Sequence, residues 1–125
     1  MSYVLVVEDD LESRRLAEKI LRHAGRRILA VPNVFDAIEA VAAEVPGVIA
    51  LDISMPGMDG WEFYKYLRRN DRTTAVPVVF VTANAFAADR ERALADGAAA
   101  YITKPYRPAD LVQAVERCLP PGLGR

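Results

Sequence analysis

Five short apolar runs, each followed by a stretch with helical periodicity, constrain this chain more than any other feature. The runs are Val4–Val7, Arg27–Val31, Val48–Leu51, Val78–Val81 and Ala100–Thr103. The first helical stretch, Leu11–Ala24, places Leu16, Ala17, Ile20, Leu21 and Ala24 on one face. The second repeats Val34, Ala37, Ile38, Val41 and Ala42 at the same spacing. Trp61–Arg69, Ala85–Ala95 and Pro108 to about Leu119 supply three more helices. Strands without polar alternation are buried on both faces, which marks a parallel sheet covered by helices. Five such units are too few for an eight-stranded barrel. They predict an α/β fold: a doubly wound, three-layer (βα)5 sandwich with strand order 2-1-3-4-5.

Breaks in the pattern fall where caps and turns belong. Gly25 sits where a helix C-terminus needs a cap. Asn33 follows Pro32 as an N-cap, and Asp10 can cap the first helix in the same way. Pro46-Gly47 ends the second helix, Pro77 precedes the fourth strand, and Pro108 suits a first helical turn. Asp59-Gly60 reads as a turn and helix start. The whole forms one domain over residues 1–120 with a tail at 121–125.

A hydrophobic fraction of 52% supports one real core and excludes disorder. With a net charge of -1 and no run of Lys or Arg, direct nucleic-acid binding is not expected. The lone Cys118 permits no intramolecular disulfide and fits a reducing compartment. No stretch approaches the roughly 20 apolar residues that span a bilayer, and no secretory leader pattern opens the chain. A cytoplasmic protein is expected, with no membrane contact.

In open α/β sheets the functional crevice lies beyond the carboxyl ends of the strands. The residues there are Glu8, Asp9 and Asp10 after the first strand, Asp52 after the third, Thr82 after the fourth, and Lys104-Pro105 after the fifth. The predicted order makes the first and third strands neighbours, so Glu8, Asp9 and Asp52 converge. Carboxylates gathered in one pocket repel unless a cation neutralises them. Hard oxygen ligands of this kind suit Mg²⁺. With a lysine and a hydroxyl opposite, they outline a phosphoryl pocket in which Asp52 can act as nucleophile and charge on the transferring oxygens is stabilised.

These segments carry a family resemblance. Val4-Leu5-Val6-Val7-Glu8-Asp9-Asp10, Leu51-Asp52-Ile53-Ser54-Met55-Pro56-Gly57-Met58-Asp59-Gly60, Val81-Thr82-Ala83 and Lys104-Pro105 resemble the blocks of response-regulator receiver domains, in order and over essentially the whole chain. The resemblance implies a flavodoxin-like fold and a phosphoacceptor switch rather than an enzyme. Asp52 would take a phosphoryl group from a histidine kinase or a histidine phosphotransfer protein. Mg²⁺ would be held by Glu8 (mainly through water), Asp9, Asp52 and the backbone carbonyl of Ser54. Thr82 and Lys104 would contact the phosphoryl group, and the Lys104-Pro105 bond would be cis. Thr82 and Tyr101 would switch, and Ser54 and Asn84 would tune phosphoryl lifetime. Output would pass to a protein target through the fourth helix, fifth strand and fifth helix, with a homodimer through the same surface open.

Each residue also has a plainer reading. Tyr101 can be a core tyrosine and Thr82 an ordinary strand-end residue. His23 belongs on a solvated helix face and Cys118 is a small packed residue. Of Trp61, Phe63, Tyr64 and Tyr66, at least one should be exposed. A phosphohydrolase of the haloacid dehalogenase type would need a second aspartate where Ser54 stands. A nucleotide-binding flavodoxin-like module would need a Gly-rich or Ser/Thr-rich loop in place of the three acids. Met1 and the tail favour a stand-alone regulator over a receiver module excised from a hybrid kinase.

Overall fold

Side chains alternate faces along a strand, so an uninterrupted apolar strand needs a layer on each side. The computed structural model describes residues 2–54 and 60–119 and meets this need. In chain order run β1 (Val4–Val7), α1 (Leu11–His23), β2 (Ile28–Val31), α2 (Val34–Ala43), β3 (Val48–Leu51), α3 (Gly60–Arg69), β4 (Val78–Thr82), α4 (Ala87–Ala95), β5 (Ala100–Thr103) and α5 (Pro108–Cys118). The strands pair in parallel in the order β2-β1-β3-β4-β5, as predicted.

Val4, Val6, Val48, Ala50, Val79 and Val81 face one side, where Ala17 and Leu21 of α1 and Leu111, Ala114 and Val115 of α5 cover them. Leu5, Val7, Ile49, Leu51, Val78 and Phe80 face the other, against Ala37 and Val41 of α2, Phe63, Tyr64 and Leu67 of α3, and Ala93 of α4. The three central strands are buried along their whole length, whereas the edge strands β2 and β5 are buried only in part. Among the described residues, no helix is long and apolar enough to cross a membrane.

Several boundaries move by one or two residues for local reasons. Helix α1 ends at His23, where Gly25 takes a φ of 87° and donates its N–H back to the Arg22 carbonyl. β2 begins at Ile28, one residue later than expected, and β4 extends through Thr82. Helix α4 starts at Ala87, not Ala85. The Asn84 side chain accepts the Phe86 N–H at 3.0 Å, an Asx turn that keeps these residues out of the helix.

Two expectations about faces are corrected. Leu16 and Ala24 lie exposed, because the buried stripe of α1 narrows to Ala17 and Leu21, with Ile20 half-buried. None of the four aromatics of α3 is fully exposed. Phe63 and Tyr64 are buried, Tyr66 stacks on Phe63, and half-buried Trp61 is covered by the Arg92 guanidinium at 3.9 Å from its ring centre. The expected caps are present: Asp10 accepts the Ser13 N–H at 2.9 Å, and Asn33 accepts the Asp36 N–H at 2.8 Å.

Gly60 opens α3 against the backbone of Asp52 and Ile53. A Cβ there would lie 2.7 Å from Ile53 Cα and 2.9 Å from the Asp52 carbonyl oxygen, both backbone atoms that cannot step aside. Gly60→Ala is therefore expected to lower stability by about 1–3 kcal/mol through overpacking, as read by denaturant unfolding. Asp59, paired with Gly60 in the predicted turn, lies outside the described residues, as do Met55–Met58 and the tail.

Candidate functional site

The parallel registers decide which side chains meet at the carboxyl edge. Val7 pairs with Leu51, so Glu8 and Asp52 leave adjacent strands at the same level. The ladder continues one step further, with Asp52 N–H donating to the Val7 carbonyl at 3.1 Å. On the far side Thr82 pairs with Thr103, and the Lys104 N–H donates to the Thr82 carbonyl at 2.8 Å. Four strands thus deliver acid, acid, hydroxyl and ammonium to one cleft.

Glu8, Asp52 and Thr82 are buried, while Asp9 is exposed at the rim. One carboxylate oxygen from each of Glu8, Asp9 and Asp52 can be chosen so that all lie within 4.8 Å of one another. This donor set fits a hard divalent cation: few protein ligands, all oxygen, with an open rim for water. The Lys104 ammonium is hydrogen-bonded to Glu8 Oε1 and lies 3.2 Å from Asp52 Oδ2. The other Asp52 oxygen, Oδ1, accepts the Ser54 N–H at 2.8 Å.

Burial pushes the Glu8 carboxyl up to about 7; the hydrogen bond from Lys104 opposes this, and the nearby Asp52 charge adds to it. For Lys104, burial alone would pull the ammonium down. The hydrogen bond to Glu8 and the charges of Asp52 and Glu8 outweigh it, and its pKa is raised. The site is thus a buried excess of negative charge, partly answered by one lysine and still receptive to a cation.

The profile of the response regulator receiver domain matches residues 4–116. The chain belongs to this family. It is 36% identical over 113 residues to the phosphate regulon transcriptional regulatory protein PhoB of Escherichia coli, covering 90% of this chain and 49% of PhoB. It therefore spans about half the length of that relative. It is 35% identical over 117 residues to the 14.6 kDa protein in the sodA1 3′ region of Leptolyngbya boryana, covering 93% of this chain and 89% of the other. Among solved structures it resembles the chemotaxis response regulator CheY4 of Vibrio cholerae, with a TM-score of 0.85, 27% identity, and coverage of 95% of this chain and 99% of that one. Receiver domains are signalling modules of two-component systems, working with histidine kinases and downstream targets.

In this receiver the predicted residues Glu8, Asp9, Asp52, Thr82 and Lys104 come together, and the Lys104-Pro105 peptide is cis. Ser54 lies beside them, with its Oγ 2.7 Å from Thr82 Oγ1. Asn84 donates its backbone N–H to Thr82 Oγ1 at 3.2 Å and accepts the Tyr101 hydroxyl on its carbonyl at 2.7 Å. Tyr101 is buried, its ring centre 6.1 Å from that of Phe80. Asp10 stays out of the acid cluster and caps α1. His23 is exposed, and Cys118 is half-buried with its thiol directed to the Ala114 carbonyl.

Sequence reasoning missed Arg14. Its Nη1 donates to the Glu8 carbonyl at 3.0 Å and the Asp9 carbonyl at 3.3 Å, pinning the loop that presents both acids. Nothing in the linear pattern separates Arg14 from Arg15; only the rotation of α1 over β1 does. Tyr106 was also missed, and it lines the cleft beside Lys104.

Proposed function

We propose that this receiver takes a phosphoryl group onto Asp52 and uses it to switch a protein-binding surface. The observation that carries this reading is the setting of Asp52: a buried carboxylate with one oxygen on a backbone N–H and the other against an ammonium. The donor is a phosphohistidine of a histidine kinase or of a histidine phosphotransfer protein. An Asp52 oxygen attacks phosphorus, the phosphorus–nitrogen bond breaks, and the imidazole leaves with its electron pair and takes up a proton. Lys104 stabilises charge on the transferring oxygens, and Thr82 donates a hydrogen bond to one of them.

Mg²⁺, held by Glu8, Asp9, Asp52 and the Ser54 carbonyl, would supply the charge neutralisation that three clustered acids and a phosphoryl group need. Intact-protein mass after incubation with a small-molecule phosphodonor tests the reading. One added phosphoryl group that requires Mg²⁺ is the expected result, and no addition under any condition would sink it. Mg²⁺ alone is expected to raise the melting temperature. At tenfold over its dissociation constant the gain is about 1.4 kcal/mol, and Asp9→Asn should reduce it.

The hydrogen bonds from Thr82 through Asn84 to Tyr101 support output through α4, β5 and α5. Phosphorylation would bias a two-state equilibrium there. Backbone amide shifts on binding a phosphoryl mimic should therefore cluster in Ala87–Ala95 and around Tyr101; an unmoved α4 and β5 would exclude this surface. The target is a protein met in the cytoplasm, and a second copy of this chain could use the same face. Ser54 and Asn84 carry no charge, so neither strongly attracts or repels an attacking water, and an intermediate phosphoryl lifetime is expected.

A further inference from the structure

Thr82 is fully buried, and its hydroxyl has one proton to give and two lone pairs to fill. The Asn84 N–H fills one lone pair at 3.2 Å. Ser54 Oγ lies 2.7 Å away, and either hydroxyl of that pair can be the donor. Among the described residues no buried side-chain nitrogen or oxygen lacks a partner, and Ser54 is the partner that completes Thr82. Ser54 is itself exposed, so water can satisfy its second bond. Its backbone N–H meanwhile holds Asp52 Oδ1, which fixes the hydroxyl beside the acceptor carboxylate.

We infer that Ser54 is a positioning residue for Thr82, accepting the Thr82 proton in the unphosphorylated site and returning a proton to Thr82 once a phosphoryl group is in place. The inference rests on the reading of Asp52 as phosphoacceptor. Phosphoryl oxygens only accept, so the Thr82 proton must leave Ser54 and turn to them. That rotation vacates a lone pair on Thr82 Oγ1, and the Ser54 hydroxyl, anchored 2.7 Å away, rotates to fill it. No covalent bond changes; two hydroxyl rotors reverse one hydrogen bond.

The consequence runs against simple loss of a contact. Ser54→Ala leaves a buried donor on Thr82 unsatisfied in the resting site, whereas in the loaded site it leaves only an unfilled Thr82 lone pair, the lesser cost of the two. The variant should therefore bind a phosphoryl mimic more tightly. In calorimetric titrations with beryllofluoride and Mg²⁺, Ser54→Ala is expected to bind on the order of threefold tighter than the natural chain, a fraction of one unmade buried hydrogen bond, because a lone pair is left unfilled in the loaded site. Ser54→Thr, which keeps the hydroxyl, should bind as the natural chain does. Equal or weaker binding by Ser54→Ala, or equally tight binding by Ser54→Thr, would overturn the inference. If the natural chain bound no beryllofluoride at all, the phosphoacceptor reading would fail first, and the inference with it.

Discussion

Asp52→Ala is expected to abolish phosphoryl addition completely, with no adduct by intact mass under conditions that convert the natural chain. Glu8 cannot substitute, because its carboxyl is pushed up to about 7, first of all by burial, which weakens it as an anionic nucleophile. Asp9 lies at the exposed rim. Asp52 is the buried acid whose backbone donor, the Ser54 N–H, belongs to the residue that also contacts the Thr82 hydroxyl. The fold should survive the substitution. Removing one of two neighbouring buried carboxylates relieves repulsion, and Lys104 keeps Glu8 as its partner. The melting temperature is therefore not expected to fall, while the gain on adding Mg²⁺ should shrink. An adduct of undiminished yield on the variant would place the acceptor elsewhere.

Lys104→Met should slow phosphoryl acceptance by about 10²-fold, the usual cost of removing one preorganised group aimed at developing charge. Methionine keeps much of the apolar stem, so packing beside Tyr106 is retained and the missing element is the ammonium. The three carboxylates that could hold a cation remain, so the rise in melting temperature with Mg²⁺ should persist. That pairing of outcomes separates a role in charge stabilisation from a role in building the site. If acceptance fell together with the Mg²⁺ response, Lys104 would be a structural strut between Glu8 and Asp52. If acceptance were unchanged, the ammonium would have no part in the transfer.

Much of the architecture was legible in the linear chain. The unbroken apolar runs at Val4–Val7, Val48–Leu51 and Val78–Val81 could only be strands covered on both sides, and these three prove buried throughout. The strand-end rule then picked out Glu8, Asp9, Asp52, Thr82 and Lys104, which converge in one cleft. Edge strands and helix faces were harder to read. β2 and β5 are only partly buried, and Leu16 fits the period of α1 yet faces outward, because apolar periodicity cannot say how wide a stripe the neighbouring layer covers.

By itself, the sequence determined the number and kind of elements, their layering and the residue types at the carboxyl edge. These follow from local rules: burial demands apolar runs, helices demand a 3.6-residue period, and chemistry demands particular side chains. What only the tertiary structure decided is who touches whom across elements. Arg92 covering Trp61 and the hydroxyl contact between Ser54 and Thr82 join residues from different units, and Arg14 reaches the Glu8 and Asp9 carbonyls within the first unit only because of how α1 is turned over β1. Such contacts depend on helix rotation and strand register to within an ångström or two, and a hydrogen bond is lost over less distance than that. Sequence patterns repeat over whole turns and pleats, so they locate the cleft without resolving the bonds inside it.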